Sequence, residues 1–347
     1  MKGRVVVLDH VDGRAAAALM VDGRLEDLII DPPEDLPPAP GAIYRAKAER
    51  PMKGQGGVTL DLGRGQTGFL RKTRDVHPGD MVLVQVSGTT EAGKASPVTP
   101  NLLFKSRYAI VTPFAPGLNV SRAIKDDAER DRLLEIAHDA MEGLDYGLIL
   151  RSACEEVSDA DIAADITAMC ELARQVLADL DGAPELLVDA PDAHLQAWVE
   201  WSVPDPDEVI DVAGSFETLG VLDAVEALLG PRVALSGQAS AYIETTRALI
   251  AVDVNTGADS NLAAGLRANL GLVRDLPRQL RLRGLGGQVV LDLAPMPKKD
   301  RRQIEDATRR AFRQDGAEVV IAGWTPLGHL ELQRKRDRWP LTQIWPT

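Results

Sequence analysis

Residues 248–255 read ALIAVDVN, and residues 286–296 read GGQVVLDLAPM. Each opens with a short apolar run that ends on an aspartate, Asp253 in the first and Asp292 in the second. Such runs, rich in Val, Ile and Leu and bounded by turn residues, read as β-strands. ASAYIETT (239–246) lies just upstream and is expected to pair with the first run as a hairpin through Thr246-Arg247. Between the two runs a helical pattern ends at RQLRLR (278–283), with Pro277 expected to bend it. A basic helix follows, KKDRRQIEDATRRAF (298–312), then EVVIAG (318–323) as the last clear strand. The layout is mixed α and β, with acidic side chains at two strand ends.

A carboxylate at the end of an apolar strand needs a partner, because burying it alone is costly. Two on neighbouring strands would repel each other unless a divalent cation lay between them. A small set of hard oxygen ligands suits Mg²⁺, which keeps several waters and completes its shell with substrate phosphate. Asn255 is two residues past Asp253 and would share its strand face. It could orient a water or a phosphate oxygen. The other open reading is that both aspartates cap strands or pair with nearby arginines. Beyond Asp292 the chain carries Lys298, Lys299, Arg301, Arg302, Arg309, Arg310 and Arg313, with Arg281, Arg283, Arg334, Lys335, Arg336 and Arg338 adding to the patch. These either contact a nucleic-acid backbone or form an ordinary solvated face.

Working outward, residues 1–31 read as short strands joined at Asp12-Gly13 and Asp22-Gly23, which are hairpin signals. DPPEDLPPAPG (31–41) holds five prolines and marks a module boundary. IYRAKAE, GVTLDL, TGFLRK and MVLVQVSG, between residues 42 and 99, are closely spaced β-runs that suggest a small barrel. That barrel is either of the oligonucleotide-binding kind or purely structural. Residues 107–229 alternate strands such as RYAIVT and YGLILRSA with helices such as 126–142 and 159–180.

The chain has 347 residues and a formal net charge of −13, which argues against long-range steering of RNA by the whole molecule. The charge is divided unevenly. Residues 261–347 carry 16 Lys/Arg and 9 Asp/Glu, or +7, leaving −20 on the remainder. This asymmetry permits phosphate binding locally. Cys154 and Cys170 are the only cysteines, which excludes a disulfide scaffold and a Cys-only zinc site within one chain. They read as small core residues. The five histidines show no ligand spacing, and His138 and His329 read as structural. No membrane span and no signal peptide are apparent, so a cytoplasmic location is expected.

The segments IETTRALIAVDVNTG and RQLRLRGLGGQVVLDLAPM resemble the ribonuclease E/G family, which shows the same D-x-N after a strand and the same RQLRLR-x-LGG-x-x-x-x-D. RYAIVTP, SRAIKDDAERDRL and GLILRSA fit as well, and GAIYRAKAERP with LDLGRGQTGFL is similar to its inserted S1 domain. The resemblance covers nearly the whole chain. It implies an α+β multidomain protein: an RNase H-like domain interrupted by an S1 (OB-type) β-barrel, a 5′-sensor region and a DNase I-like catalytic domain. The implied boundaries are 1–37 and a shortened 186–228 for the RNase H-like parts, 38–100 for the barrel, 101–185 for the sensor and 229–347 for the catalytic domain.

By the same resemblance Asp253 and Asp292 match the aspartates that hold catalytic Mg²⁺, for which Mn²⁺ would substitute, and Asn255 matches the Asn of that site. Arg151 and Ser152 match the Arg-Thr pair that grips an RNA 5′-phosphate, with Ser keeping the hydroxyl. Pairing of Arg151 with Glu155 or Glu156 is the alternative. Phe69 matches an S1 aromatic that stacks on a base, while Thr59 stands where a second aromatic is expected. The family's Cys-containing zinc-link does not occur before the final QIWPT, so no zinc and at most a homodimer are expected. The implied activity is Mg²⁺-dependent endonucleolytic cleavage of single-stranded RNA, leaving 5′-phosphate and 3′-hydroxyl ends. Two alternatives come from other classes: an RNA-binding or regulatory protein with weak or no cleavage, and a structural S1-type adaptor, which would explain residues 42–99 alone.

Overall fold

A computed structural model describes residues 2–52, 54, 56–71, 75–91, 93–259 and 261–346. Lys72, at the end of the expected run TGFLRK, lies outside the described residues. The chain divides into two compact units, Met1–Pro32 with Ile210–Thr347, and Pro33–Val209.

The first unit holds two sheets. Strands Arg4–Val11, Arg14–Val21 and Arg24–Ile30 form a meander. Its turns are made as the sequence signals. Asp12 and Gly13 have φ of 52° and 74°, and Asp22 and Gly23 have 49° and 78°. Two positive-φ residues in a row match the strand twist of a tight hairpin.

The larger sheet has six strands, ordered Arg232–Ala234, Ser240–Thr245, Ile250–Asn255, Gly287–Asp292, Leu330–Arg334 and Val319–Trp324. The expected hairpin of 239–255 is present, with Tyr242 opposite Asp253 and Thr245 opposite Ile250. A crossover helix, Leu262–Leu282, returns the chain so that Ile250–Asn255 and Gly287–Asp292 run parallel. It continues past Pro277. Side chains of these two strands alternate between core and surface. Ile250, Val252, Val254, Val289 and Leu291 join a core with Leu272, Leu276 and Leu280 of the crossover helix and Ile304 and Phe312 of helix Arg301–Asp315. Helices thus cover one face, and the opposite face carries Asp253, Asn255 and Asp292, all exposed.

EVVIAG is not the last strand. Leu330–Arg334 follows it and inserts between the Asp292 strand and Val319–Trp324. Its alternation is masked in sequence because the third inward position is Arg334, which is 2 % exposed. Its guanidinium bonds Leu285 O at 2.9 Å and lies 3.5 Å from Asp315 and 3.4 Å from Asp337.

In the second unit, strands Ile43–Met52, Gly57–Gly63, Gln66–Arg71, Ser96–Thr99 and Met81–Val86 close on themselves, because Ile43–Met52 pairs with both Gly57–Gly63 and Met81–Val86. Ala46, Ala48, Val58, Leu60, Leu62, Leu70, Val84, Val86 and Val98 fill this five-stranded barrel. Glu185–Val188 adds a strand outside Ile43–Met52. Beside the barrel, a small sheet of Phe104–Lys105, Ala109–Thr112, Gly117–Val120 and Gly147–Leu150 packs on helices Asp127–Ala140 and Asp159–Ala178. Both helices begin on a side-chain cap, Asp126 and Ser158.

Candidate functional site

Asp253 and Asp292 are register partners at the C-terminal ends of adjacent parallel strands. Their backbones are therefore about 4.8 Å apart, the ordinary strand spacing, and both side chains point to the open face. Asn255 shares that face and donates from Nδ2 to Asp253 Oδ2 at 2.7 Å. On the other side His329 Nδ1 lies 3.3 Å from Asp292 Oδ1. Among the described residues neither aspartate forms an ion pair with a lysine or arginine. No group of three or more His, Cys, Asp or Glu suited to a metal ion occurs among the described residues.

The basic segment after Asp292 divides by role. Lys298 and Lys299 sit on a short 3₁₀ turn, Lys298–Asp300, and both are exposed, as is Arg302. Arg301 is half-buried and stacks its guanidinium on the Trp324 ring at 4.6 Å. Trp324 in turn donates from Nε1 to Glu305 at 2.6 Å.

The wider basic patch expected from the sequence does not form as such. Arg281 bonds Glu26 at 2.8 Å and pairs with Asp315. Arg283 is 6 % exposed and reaches Gln279 and Gly230 O. Arg334 is buried, and Arg338 pairs with Asp27. A buried guanidinium has to be paired; Arg281 and Arg338 reach Glu26 and Asp27 of strand Arg24–Ile30, while Arg283 and Arg334 find their partners around the crossover helix and the larger sheet. Lys335 and Arg336 stay exposed.

Arg151 follows strand Gly147–Leu150 and starts a 3₁₀ turn, Ser152–Cys154. Its Nη1 donates to Ser106 O at 2.8 Å and its Nη2 to Glu200 Oε2 at 3.3 Å. The partner is thus Glu200, from helix Ala193–Glu200, rather than Glu155 or Glu156. Next to Ser106, Arg107 stacks on Trp198 at 4.1 Å, and Trp198 is 55 % exposed. The sequence did not single out Arg107, Trp198 or Glu200, and His329 read there as structural. The WVEW run, with an acid between two tryptophans, was the available signal for the helix residues, and His329 had none.

Phe69 is half-buried on the outer face of the barrel, opposite Thr59. Its ring lies over Gly57, where a Cβ would come within 2.6 Å of Phe69 Cζ. Cys154 and Cys170 are both buried, and burial pushes the Cys154 thiol up to about 12. Among the described residues no helix is long and apolar enough to cross a membrane.

The sequence model of the Ribonuclease E/G family matches residues 104–214 and 194–337. The chain belongs to the ribonuclease E/G family. Ribonuclease G of Salmonella typhimurium and of Escherichia coli K12 are each 26 % identical over 86 % of this chain and 73 % of their own length. Ribonuclease E of a Nostoc species is 29 % identical over 75 % of this chain and 43 % of its own. Within this family member the matched stretch carries Arg151, Ser152, Asp253, Asn255 and Asp292, while the five-stranded barrel lies N-terminal to it.

Proposed function

We propose that this chain is an endoribonuclease that cuts single-stranded RNA in RNA processing or decay, with Asp253 and Asp292 holding the Mg²⁺ on which cleavage depends. Family membership and the Ribonuclease G and Ribonuclease E relatives carry the endoribonuclease assignment. One observation supports the metal: the Asp253–Asp292 register on an open face, without a lysine or arginine partner for either among the described residues. Two like charges at adjacent strand ends repel each other, and a shared cation would offset that repulsion. Two carboxylates with room for water and phosphate fit Mg²⁺, or Mn²⁺ in its place.

Asn255 holds Asp253 Oδ2 and so leaves the other oxygen of that carboxylate as a ligand. When bound, the cation would lower the pKa of a coordinated water and offset charge on the scissile phosphate. Lys298, Lys299 and Arg302, exposed on the segment that leaves Asp292, would bind flanking phosphates. Phe69 offers a stacking face on the barrel. Arg151 and Ser152 would bind an RNA 5′-phosphate through a planar fork and a hydroxyl. On the same footing, we read the Arg4–Ile30 meander as part of an RNase H-like domain and residues 229–347 as DNase I-like.

The test is labelled single-stranded RNA incubated with Mg²⁺ or with EDTA, using the unsubstituted protein and Asp292→Asn. Cleavage is expected with Mg²⁺ alone, leaving 5′-phosphate ends, and the variant should still bind RNA in a gel shift. Cleavage by Asp292→Asn at the unsubstituted rate would sink the assignment of Asp292. RNA retention without cleavage in every arm would favour a binding or regulatory member of the family.

A further inference from the structure

The two aspartates are held differently. Asp253 is tethered by Asn255, two residues along its own strand. Asp292 has no such neighbour on its own strand, and the residue that reaches it comes from the loop that enters the adjacent strand, Leu330–Arg334.

The antiparallel ladder between Gly287–Asp292 and Leu330–Arg334 pairs Leu291 with Leu330. Continuing it by one residue sets His329 opposite Asp292. His329 closes the loop after strand Val319–Trp324, and that loop is tightly braced. Thr325 N donates to His329 O at 2.8 Å, Gly328 N to Thr325 O at 3.0 Å, and His329 N to Thr325 Oγ1 at 3.1 Å. Gly328 has φ +100°, a conformation that side chains other than glycine rarely adopt. Arg301, stacked on Trp324, has Nη2 3.0 Å from where a Gly328 Cβ would sit.

The imidazole is thus delivered to one place. Its Nδ1 is buried and makes no hydrogen bond among the described residues, yet it stands 3.3 Å from Asp292 Oδ1. A buried ring nitrogen left unsatisfied costs roughly 1–3 kcal/mol, and Asp292 Oδ1 is the acceptor beside it.

We propose that His329 is a positioning residue for Asp292: its Nδ1–H holds Oδ1 of the carboxylate and leaves Oδ2 as the cation ligand, as Asn255 does for Asp253. The inference rests on the metal reading above. Donors that orient ligating carboxylates change metal affinity about 10–100-fold when removed. The loop, rather than the strand itself, then decides how well Asp292 binds.

The experiment is Mn²⁺ binding to the full chain without RNA, followed by calorimetry and by the loss of the free Mn²⁺ electron-spin signal. The proteins compared are unsubstituted, His329→Leu, His329→Gln and Asp292→Asn, each checked for folding by circular dichroism. His329→Leu is expected to weaken Mn²⁺ binding about tenfold or more, and His329→Gln, which keeps an N–H donor, to recover most of it. Asp292→Asn should weaken it further than either. If Asp292→Asn loses Mn²⁺ while both His329 variants bind it as the unsubstituted protein does, the positioning role is wrong and the metal site stands. If His329→Gln binds as poorly as His329→Leu, donation to Asp292 is wrong. If the unsubstituted protein binds no Mn²⁺, the metal reading fails and this inference fails with it.

Discussion

Replacing Glu200 by Gln tests the 5′-phosphate reading most directly. The Arg151 fork already has two partners, Ser106 O at 2.8 Å and Glu200 Oε2 at 3.3 Å. On that reading an arriving terminal phosphate would keep the first and displace the second. Two unit charges at this separation attract by about 5 kcal/mol at an effective dielectric of 20 and about 1.3 kcal/mol in bulk water. The Glu200 side chain is 45 % exposed and that of Arg151 19 %. Solvent screening and side-chain ordering bring such a pair down to about 1 kcal/mol or less. A charge-assisted hydrogen bond to phosphate contributes roughly 1.5–3 kcal/mol. The difference, about 0.5–2 kcal/mol, corresponds to roughly 2–30-fold. Matched single-stranded RNAs with a 5′-monophosphate or a 5′-hydroxyl should therefore differ in kcat/KM by about tenfold. Glu200→Gln removes the competing charge and should widen the ratio up to about fivefold, the equivalent of about 1 kcal/mol. Arg151→Ala should bring it to unity with the 5′-hydroxyl rate nearly unchanged. Equal rates on both substrates with the unsubstituted protein, or a ratio that narrows in Glu200→Gln, would refute the reasoning.

Phe69→Ala should weaken single-stranded RNA binding by about 1–3 kcal/mol, the value of one lost base stack. Fluorescence anisotropy would read this, and the melting temperature should hardly move because the ring is half-exposed. Arg334→Ala leaves the buried Asp315 with Arg281 as its remaining arginine partner and should cost up to about 3–5 kcal/mol in urea unfolding, the penalty for breaking a buried ion pair outright. An unchanged urea midpoint would show that the arginine is dispensable. Asp27 gives an acid limb. Burial pushes its carboxyl up, but Arg338 and Arg281 outweigh this and hold it below the ordinary carboxylate range. That stabilisation is complete above about pH 4, near the unfolded value, and is lost as pH falls through the lower native value. Acid unfolding should be shallower in Asp27→Asn, and identical acid limbs for the two proteins would contradict the assignment.

Much of this molecule is local and was legible in the chain. Asp-Gly pairs between apolar runs make both tight turns of the first meander, because consecutive positive-φ positions suit these residues. Apolar periodicity marks the long helices. Apolar runs ending in Asp253 and Asp292, with Asn255 two residues on, give the strand-end acids their shared face, because alternate residues in a strand point the same way. What the chain alone could not disclose depends on partners distant in sequence. Strand Leu330–Arg334 was hidden because an inward arginine looks like a surface charge until Asp315 and Leu285 O surround it. The RQLRLR arginines looked like part of an RNA-facing patch, yet Glu26, Asp27, Asp315 and Gly230 O absorb them. His329 looked like an ordinary loop residue until strand pairing carried it to Asp292. Periodicity and turn chemistry act within a few residues, so a sequence displays them. The burial of a charge, and the group it meets, are set only when segments tens to hundreds of residues apart come into contact.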